Sequence, residues 1–279
     1  MDLNITVFLI VCPLVFLAGL IDSIAGGGGL ISLPAYLMAG VPPQFALGTN
    51  KLSSIAGSMI ASIRYYKNKY IDIILCLPSI AAALIGSAIG SFLALFADER
   101  ILQWLLLFII PFTAFYVLRN KNFNSKPGAE IKDEGSVNNN PSAENFAGGT
   151  GQLTRAKTIV LSVIISFFIG GYDGFTGPGT GTFLILLYNG IAKIDARIAA
   201  GNAKLVNFSS NLSALILFLI NGRVFIALGL CAALFNMLGA YIGSGLVIKK
   251  GTKIIRYTIL IVLTLIYIKL LWDTISLML

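Results

Sequence analysis

The chain has 279 residues, of which 57% are hydrophobic and 11% are charged, and its mean hydropathy is +0.87. No soluble domain of this length has such a composition, so the sequence predicts an all-α polytopic membrane protein. It contains no histidine, which excludes His-based catalytic triads, His metal ligands and His proton shuttles. The basic residues behind the net charge of +8 fall mostly in loops, where they indicate orientation in a lipid bilayer rather than nucleic-acid binding.

Apolar runs separated by breakers predict five membrane segments in each half of the chain. In the first half, a membrane repeat over 1–118, they are 4–21, a short run 30–39, 46–63, 73–96 and 101–118. In the second half, a membrane repeat over 157–279, they are 157–171, a short run 182–190, 203–220, 225–248 and 254–271. The intervening residues 119–156 are too polar to bury a core, and we interpret them as a flexible linker.

The two halves repeat one unusual pattern of glycine and polar residues. The first half reads Asp22-Ser-Ile-Ala-Gly26-Gly27-Gly28-Gly29, and the second reads Asp173-Gly-Phe-Thr-Gly177-Pro178-Gly179-Thr180. Further along, Gly48-Thr49-Asn50-Lys51 corresponds to Gly201-Asn202-Ala203-Lys204 at an offset of 153 residues. Two membrane copies that are interrupted by glycines at the same place are typical of secondary transporters.

The short runs and the basic residues together predict the topology. A helix of ten residues rises roughly 15 Å, half of a hydrocarbon core of about 30 Å, so each short run is either re-entrant or half of a broken helix that crosses with its neighbour. If every segment crosses and the N-terminus is outside, the loops outside hold only Arg100 and Arg223. The inside loops then hold Arg64, Lys67, Lys69, Arg119, Lys121, Lys126, Lys132, Arg155, Lys157, Lys193, Arg197, Lys249, Lys250 and Lys253. The positive-inside rule therefore favours two inverted repeats of five segments, with both termini outside and the linker in the cytoplasm.

The glycine runs are predicted to contribute to a substrate site, because they expose backbone N–H groups and precede half-helices whose positive dipole ends point at the break. Irregular backbone at membrane depth is tolerated only where protein or a water-filled cavity surrounds it. Glycines at helical spacing inside unbroken segments predict helix packing instead: Gly86, Gly90, Gly239 and Gly243. The residues of the runs that we predict to contact substrate are Gly26, Gly27, Gly28, Gly29, Gly177, Gly179 and Thr180.

Lys51 and Lys204 each open a third apolar segment. A lysine there can anchor its helix at the interface, but inverted copies place the two on opposite sides of the membrane, and an outside anchor runs against the charge bias. At least one is therefore predicted to face a polar interior. Donors that follow Lys204 at i+3 and i+7 lie on one helix face and suit an oxyanion, or they hold helices together as hydrogen-bonding glue. The substrate-binding set predicted on these helices is Thr49, Asn50, Lys51, Ser54, Asn202, Lys204, Asn207, Ser210 and Asn211.

Asp22 and Asp173 lie beside apolar stretches at matching positions of the two copies. An intramembrane carboxylate can carry protons, and it can equally cap the half-helix that follows by accepting from free N–H groups. Proton coupling therefore remains one of two interpretations of this pair.

At these residues the chain resembles the TauE/SafE sulfite exporter family, also called the toluene sulfonate uptake permease family. The resemblance rests on Asp22 to Gly29, on Gly48-Thr49-Asn50-Lys51, and on Lys204-Leu205-x-Asn207-x-x-Ser210-Asn211, and it covers nearly the whole chain apart from the linker. It implies a bacterial or plant membrane protein that moves sulfite, sulfonates or related small organosulfur anions. The second glycine run is less glycine-pure than the first, so the two halves are expected to differ in function.

These patterns predict a permease or exporter in the cell (inner) membrane that moves a small anion by alternating access, without a metal or other cofactor. A gated anion channel and a carrier of small carboxylates remain open alternatives. A membrane-embedded enzyme needs an acid–base or metal constellation, and no intramembrane glutamate and no Ser or Cys beside an identifiable base is found. The expected partners are the substrate anion and the lipid bilayer, with no nucleic acid.

Overall fold

A computed structural model describes residues 4–96 and 153–264, apart from 252, 256 and 263. The described residues form helices and no strands, so the all-α prediction is confirmed. The helices of the first copy are α1 Ile5–Ala25, α2 Gly29–Met38, α3 Pro43–Lys67 and α4 Ile73–Ala94. Those of the second copy are α5 Arg155–Phe175, α6 Thr180–Gly190, α7 Ala196–Ile220 and α8 Ile226–Lys250. Most of the described residues between 253 and 264 are helical as well.

Both copies show the same succession of long, short, long and long helices, with 21, 10, 25 and 22 residues in the first copy and 21, 11, 25 and 25 in the second. Five of the described helices, α1, α4, α5, α7 and α8, are long and apolar enough to span a bilayer. The predicted segment 101–118, most of the linker 119–156 and the end of segment 254–271 lie outside the described residues.

The glycine runs break the helices as predicted. α1 ends because Gly26 adopts the left-handed conformation (φ 81°), in which its N–H donates to the Asp22 carbonyl at 2.8 Å, a conformation that glycine adopts without steric cost. Between α5 and α6, Gly177 and Gly179 have φ values of 87° and 83°. Each first helix runs further than its apolar stretch, so Asp22 and Asp173 lie in the last turn of α1 and α5.

The third helix of each copy begins earlier than its apolar run indicates. α3 starts at Pro43, whose fixed φ favours the first helical position, and α7 starts after Asp195, whose carboxylate accepts from the Arg197 N–H at 2.9 Å. Counted from these starts, Lys51 and Lys204 are each the ninth residue of their helix. Both lysines therefore lie two turns inside a helix, and the predicted apolar segments miss the starts of α3 and α7 because the first two turns are too polar to show in hydropathy.

The fourth helix of each copy packs along the first helix of the other copy, so that α4 lies on α5 and α1 lies on α8. A Cβ at Gly86 would come within 2.1 Å of the Phe167 carbonyl oxygen, and a Cβ at Gly239 within 2.1 Å of the Phe16 carbonyl oxygen. The same close approach is found one turn further along, at Gly90 and Gly243. The prediction that these glycines serve helix packing is confirmed.

The corresponding helices α3 and α7 contact each other and run in opposite directions. Near the start of α3, a Cβ at Gly48 would lie 2.2 Å from the carbonyl oxygen of Arg223, just beyond the end of α7. Near the start of α7, a Cβ at Gly201 would lie 2.0 Å from the carbonyl oxygen of Tyr70, just beyond the end of α3. An antiparallel contact between corresponding helices is the geometry that an inverted repeat requires.

The two breaks also contact each other. A Cβ at Gly26 would lie 2.1 Å from the carbonyl carbon of Gly181. Thr182, one residue further into α6, donates its hydroxyl to the Ala25 carbonyl at 2.6 Å and its N–H to the Gly26 carbonyl at 3.3 Å. The end of α1 and the start of α6 are therefore joined backbone to backbone, and the polar residues of both breaks are brought to one place.

Candidate functional site

A polar cavity lies where the two breaks meet. Six of its lining residues come from the first copy and five from the second: Asp22, Gly26, Gly29, Asn50, Lys51 and Ser54, with Asp173, Gly177, Thr180, Asn207 and Asn211. All eleven belong to the sets predicted from the sequence. The cavity is therefore built jointly by the two copies, from α1, α2 and α3 on one side and α5, α6 and α7 on the other.

Two half-helices begin at this cavity. Gly29 is the first residue of α2 and Thr180 is the first residue of α6, and both line the wall. The first turn of a helix carries backbone N–H groups without intrahelical partners and the positive end of the helix dipole. Two such ends that converge on one space favour a negatively charged occupant.

Lys51 of the first copy pairs with Asp173 of the second. Its Nζ lies 2.9 Å from Asp173 Oδ1 and donates to the Asp173 carbonyl oxygen at 2.5 Å. The two side chains are 2% and 3% exposed. Thr180 and Ser210 donate their hydroxyls to the two oxygens of the same carboxylate, at 2.9 Å and 2.6 Å. Asp173 thus holds together α3, α5, α6 and α7.

Lys204 of the second copy pairs with Asp22 of the first. Its Nζ lies 2.8 Å from Asp22 Oδ2, and the Gly28 N–H donates to Asp22 Oδ1 at 3.2 Å. The lysine side chain is 1% exposed and the aspartate 17%. The pairs are thus crossed, since each copy supplies the lysine of one pair and the aspartate of the other.

The two ion pairs are not equivalent. Ser210 and Thr180, which donate to Asp173, are replaced at the matching positions of the first copy by Gly57 and Gly29. Asp22 therefore lacks both hydroxyl donors, and its second partner is the backbone N–H of Gly28 at the longer distance of 3.2 Å. The two halves were expected to differ, and their ion pairs do differ: the pair of Lys51 with Asp173 is almost fully buried, whereas Asp22 in the pair with Lys204 is partly exposed.

Three amide side chains complete the wall. Asn50 on α3 is 5% exposed, and its Oδ1 has no hydrogen-bond partner in the part of the chain that the structure describes. Asn207 and Asn211 on α7 are 5% and 3% exposed, and the Asn211 amide donates to the Asn207 carbonyl at 2.6 Å. A buried polar group without a partner is costly, so Asn50 Oδ1 presents an acceptor that only a donor group of a bound solute, such as a hydroxyl, can satisfy.

The remaining predicted residues lie behind the wall. Lys204, Ser210 and Gly28 reach the carboxylates, as described above, and Gly179 takes the left-handed conformation directly before α6. A Cβ at Gly27 would lie 2.4 Å from the Val262 side chain, so Gly27 is a packing position. These residues hold the groups that line the cavity and do not line it themselves.

Thr49 and Asn202, which the sequence assigns to substrate binding, hold loops instead. Thr49 Oγ1 accepts from the Phe225 N–H at 3.0 Å, where α8 begins, and Asn202 Oδ1 accepts from the Asp72 N–H at 3.0 Å, where α4 begins. Neither lines the cavity. Thr49 and Asn202 each face the other half of the chain. The sequence pattern does not distinguish the side of the helix that contacts the other half from the side that lines the cavity.

Replacing Thr49 with valine is expected to lower the free energy of unfolding by about 1–3 kcal/mol, because the Phe225 N–H loses its acceptor inside the protein. The KM for substrate is expected to stay at the wild-type value, because Thr49 lies outside the cavity wall. Thermal unfolding in detergent and transport kinetics in proteoliposomes check the two halves of this prediction. A raised KM with unchanged stability would return Thr49 to the substrate site.

The cavity itself is small, with a volume of about 20 Å³, which is room for about one water molecule. An organic anion is larger than that. Its entry therefore requires the Lys51 side chain or the surrounding helices to move, and the ion pairs across the cavity are the contacts that such a movement changes.

The pairing of the lysines with the aspartates is the feature that the sequence did not reveal. Lys51 and Asp173 are separated by 122 residues, and Lys204 and Asp22 by 182. A signal was present, because each copy carries one buried lysine and one buried aspartate at matching positions and buried charges need partners. Thr182, which joins the two breaks, is matched by Ile31 in the first copy and carried no signal.

Comparison with known proteins gives one family. The family model for sulfite exporter TauE/SafE matches residues 11–270. A Haemophilus influenzae protein named "Probable membrane transporter protein" is 33% identical over 273 residues, 98% of each chain. "Probable membrane transporter protein ORF9" of Sinorhizobium sp is 35% identical over 92% of this chain and 90% of its own. "Probable membrane transporter protein YfcA" of Escherichia coli K12 is 34% identical over 92% and 87%. No solved structure matches this chain significantly.

Proposed function

The chain belongs to the sulfite exporter TauE/SafE family of multi-pass membrane transporters, and on that premise we propose that it carries a small anion by alternating access. The proposed substrates are sulfite, a sulfonate or a related organosulfur anion. One observation supports this above all. Among apolar helices, the two copies together bury a cavity lined by Lys51, three amides, two helix N-termini and two carboxylates that are each paired with a lysine. Cationic and N–H donors without an apolar wall suit a small oxyanion.

The proposal includes an inverted repeat, in which the second copy lies upside down in the membrane relative to the first. The antiparallel contact between α3 and α7 supports it, as do the matched hydrogen bonds that the Phe225 N–H donates to Thr49 and the Asp72 N–H donates to Asn202. In an inverted repeat, each half can adopt the conformation that the other half has left. This exchange opens the shared site first to one side of the membrane and then to the other.

Orientation and location are also proposed. In a bacterial cell the protein would lie in the cytoplasmic (inner) membrane, with both termini outside and the 119–156 linker inside. The distribution of basic residues supports this orientation. The described parts of two predicted inside loops agree with it, since Tyr70 beyond α3 packs against Gly201 near the start of α7.

Counterflow in proteoliposomes tests the proposal. Vesicles of purified protein are loaded with unlabelled sulfite, or with a two-carbon sulfonate, and diluted into a trace of the same labelled anion. A carrier is expected to accumulate label transiently and to saturate, with small carboxylates as poor competitors. Label that only equilibrates at a high, non-saturating rate would indicate a channel, and strong competition by carboxylates would replace the organosulfur substrate class.

A further inference from the structure

We propose that Asp22 is the group that takes up a proton when the anion binds, and that Asp173 stays ionised throughout as a fixed structural counter-ion. This inference rests on the proposed function, because it assigns the coupling chemistry of the same cavity. It divides roles between two carboxylates that the sequence treats as equivalent.

The charges at the cavity supply the first argument. Lys51 and Lys204 carry two positive charges, and Asp22 and Asp173 carry two negative charges, so the four groups sum to zero. A monovalent anion added to this buried set leaves one negative charge without compensation, which is costly away from water. One proton taken up with each anion restores neutrality.

The second argument identifies the acceptor. Asp173 is 3% exposed and its carboxylate accepts from Lys51, Thr180 and Ser210. Hydrogen bonds to the charged form stabilise that form, and all of these would be weakened by protonation. Asp22 is 17% exposed, and within the described residues its carboxylate is bonded only by the Lys204 ammonium and the Gly28 N–H. Glycines replace the two hydroxyls on its side.

Apart from Lys204 and the Gly28 N–H, none of the described groups around Asp22 competes for the proton or opposes protonation of its carboxylate. Lys204 faces it from α7, and Tyr65 on α3 is engaged elsewhere, since its hydroxyl donates to the Ser23 carbonyl at 2.6 Å. Lys51 and Asp173 lie across the cavity and are paired with each other. Among the described lining residues, α2 and α6 contribute only Gly29 and Thr180, and α8 contributes none.

The step itself is a proton transfer from a hydronium ion of the acidic solution to the Asp22 carboxylate, which leaves a neutral water molecule behind. The carboxylate becomes a neutral acid, and the positive charge of Lys204, which lies behind the cavity wall, is then balanced by the bound anion. Proton and anion therefore enter the cavity together and leave it together. The coupling is therefore symport: protons and anions move together, from the more acidic compartment to the less acidic one.

The test uses a labelled two-carbon hydroxysulfonate, because the sulfonate group stays ionised near neutral pH and its own titration does not confuse the result. Counterflow without a pH gradient is measured first, and then uptake with the acidic side outside or inside. Wild type is expected to accumulate label above equilibrium only with the acidic side outside. Accumulation with the acidic side inside, or no response to either gradient while counterflow persists, overturns the inference and leaves the proposed function standing. Absence of counterflow overturns both.

Substitutions test whether Asp22 is the group that takes up the proton. In Asp22→Asn the ratio of uptake with and without the acidic gradient is expected to fall to one, with lowered counterflow, and Asp22→Glu is expected to restore a gradient response. Asp173→Asn is expected to lose counterflow altogether. Asp195→Asn is the matched control, an exposed helix-capping aspartate away from the cavity, and should keep the wild-type gradient response. A gradient response that persists in Asp22→Asn overturns the assignment.

A measurement on the wild type keeps the inference testable if Asp22→Asn does not fold. Purified protein in weakly buffered detergent solution with a pH indicator is expected to take up one proton for each hydroxysulfonate bound at saturation. Binding without proton uptake overturns the inference.

Discussion

Replacing Lys51 with glutamine is expected to abolish counterflow and to lower the free energy of unfolding by about 3–5 kcal/mol. Lys51 is the ammonium at the cavity wall, and its removal leaves the Asp173 carboxylate buried without its counter-charge. An unpaired buried charge is what makes the loss of one partner so costly. Counterflow in proteoliposomes measures the loss of transport, and thermal unfolding in detergent measures the loss of stability.

Two further variants separate stability from transport. Lys51→Gln combined with Asp173→Asn removes both charges, so stability is expected to return in large part while counterflow stays absent. Lys67→Gln, at an exposed position of the same helix, should change neither quantity. Wild-type counterflow in Lys51→Gln would show that this lysine is a structural anchor and that the anion binds elsewhere.

Replacing Gly26 with alanine is expected to cost about 2–5 kcal/mol of stability, because overpacking and left-handed backbone strain add together. The new Cβ would lie 2.1 Å from Gly181 backbone at a φ of 81°, so α1 and α6 must separate. Since these helices carry Asp22 and Thr180 to the cavity, transport is expected to be lost as well.

Gly222→Ala is the control for this effect. Gly222 also has a positive φ, 64°, but a Cβ there would meet no atom within 4 Å. Its cost is therefore limited to the backbone strain of about 1–2 kcal/mol, with normal counterflow. Equal losses in the two variants would mean that the contact between the breaks contributes little, and thermal unfolding of both proteins decides the point.

Much of this fold follows from hydropathy and glycine placement. The short helices α2 and α6 appear as ten- and nine-residue apolar runs because glycine ends them, a local effect that any reader of the sequence can see. The starts of α3 and α7 do not appear in hydropathy, because Pro43 and Asp195 begin helices whose first turns are polar. Local capping chemistry marks those starts better than apolar content does.

The sequence predicts which residues form the site, but it does not predict which of them contact each other. Every lining residue was in the predicted set, because glycine, lysine and amides inside apolar sequence have few other roles. Thr49 and Asn202 belong to the same predicted set, but in the structure they bond the other copy and do not line the cavity. The crossed pairs of Lys51 with Asp173 and Lys204 with Asp22 depend on how two copies pack, and no local pattern contains that information.

The most direct test of the central claim, that the cavity between the breaks binds the transported anion, compares two buried asparagines of α7. Asn207 lines the cavity, whereas Asn202 bonds the Asp72 N–H outside it. Equilibrium binding of labelled two-carbon sulfonate to purified protein is measured for Asn207→Ala and Asn202→Ala. A lost hydrogen bond to a charged group costs about 1.5–3 kcal/mol, so Kd is expected to rise roughly 10- to 100-fold in Asn207→Ala, while Asn202→Ala loses stability and keeps its Kd. Unchanged binding in Asn207→Ala, with weakened binding in Asn202→Ala, would contradict the account.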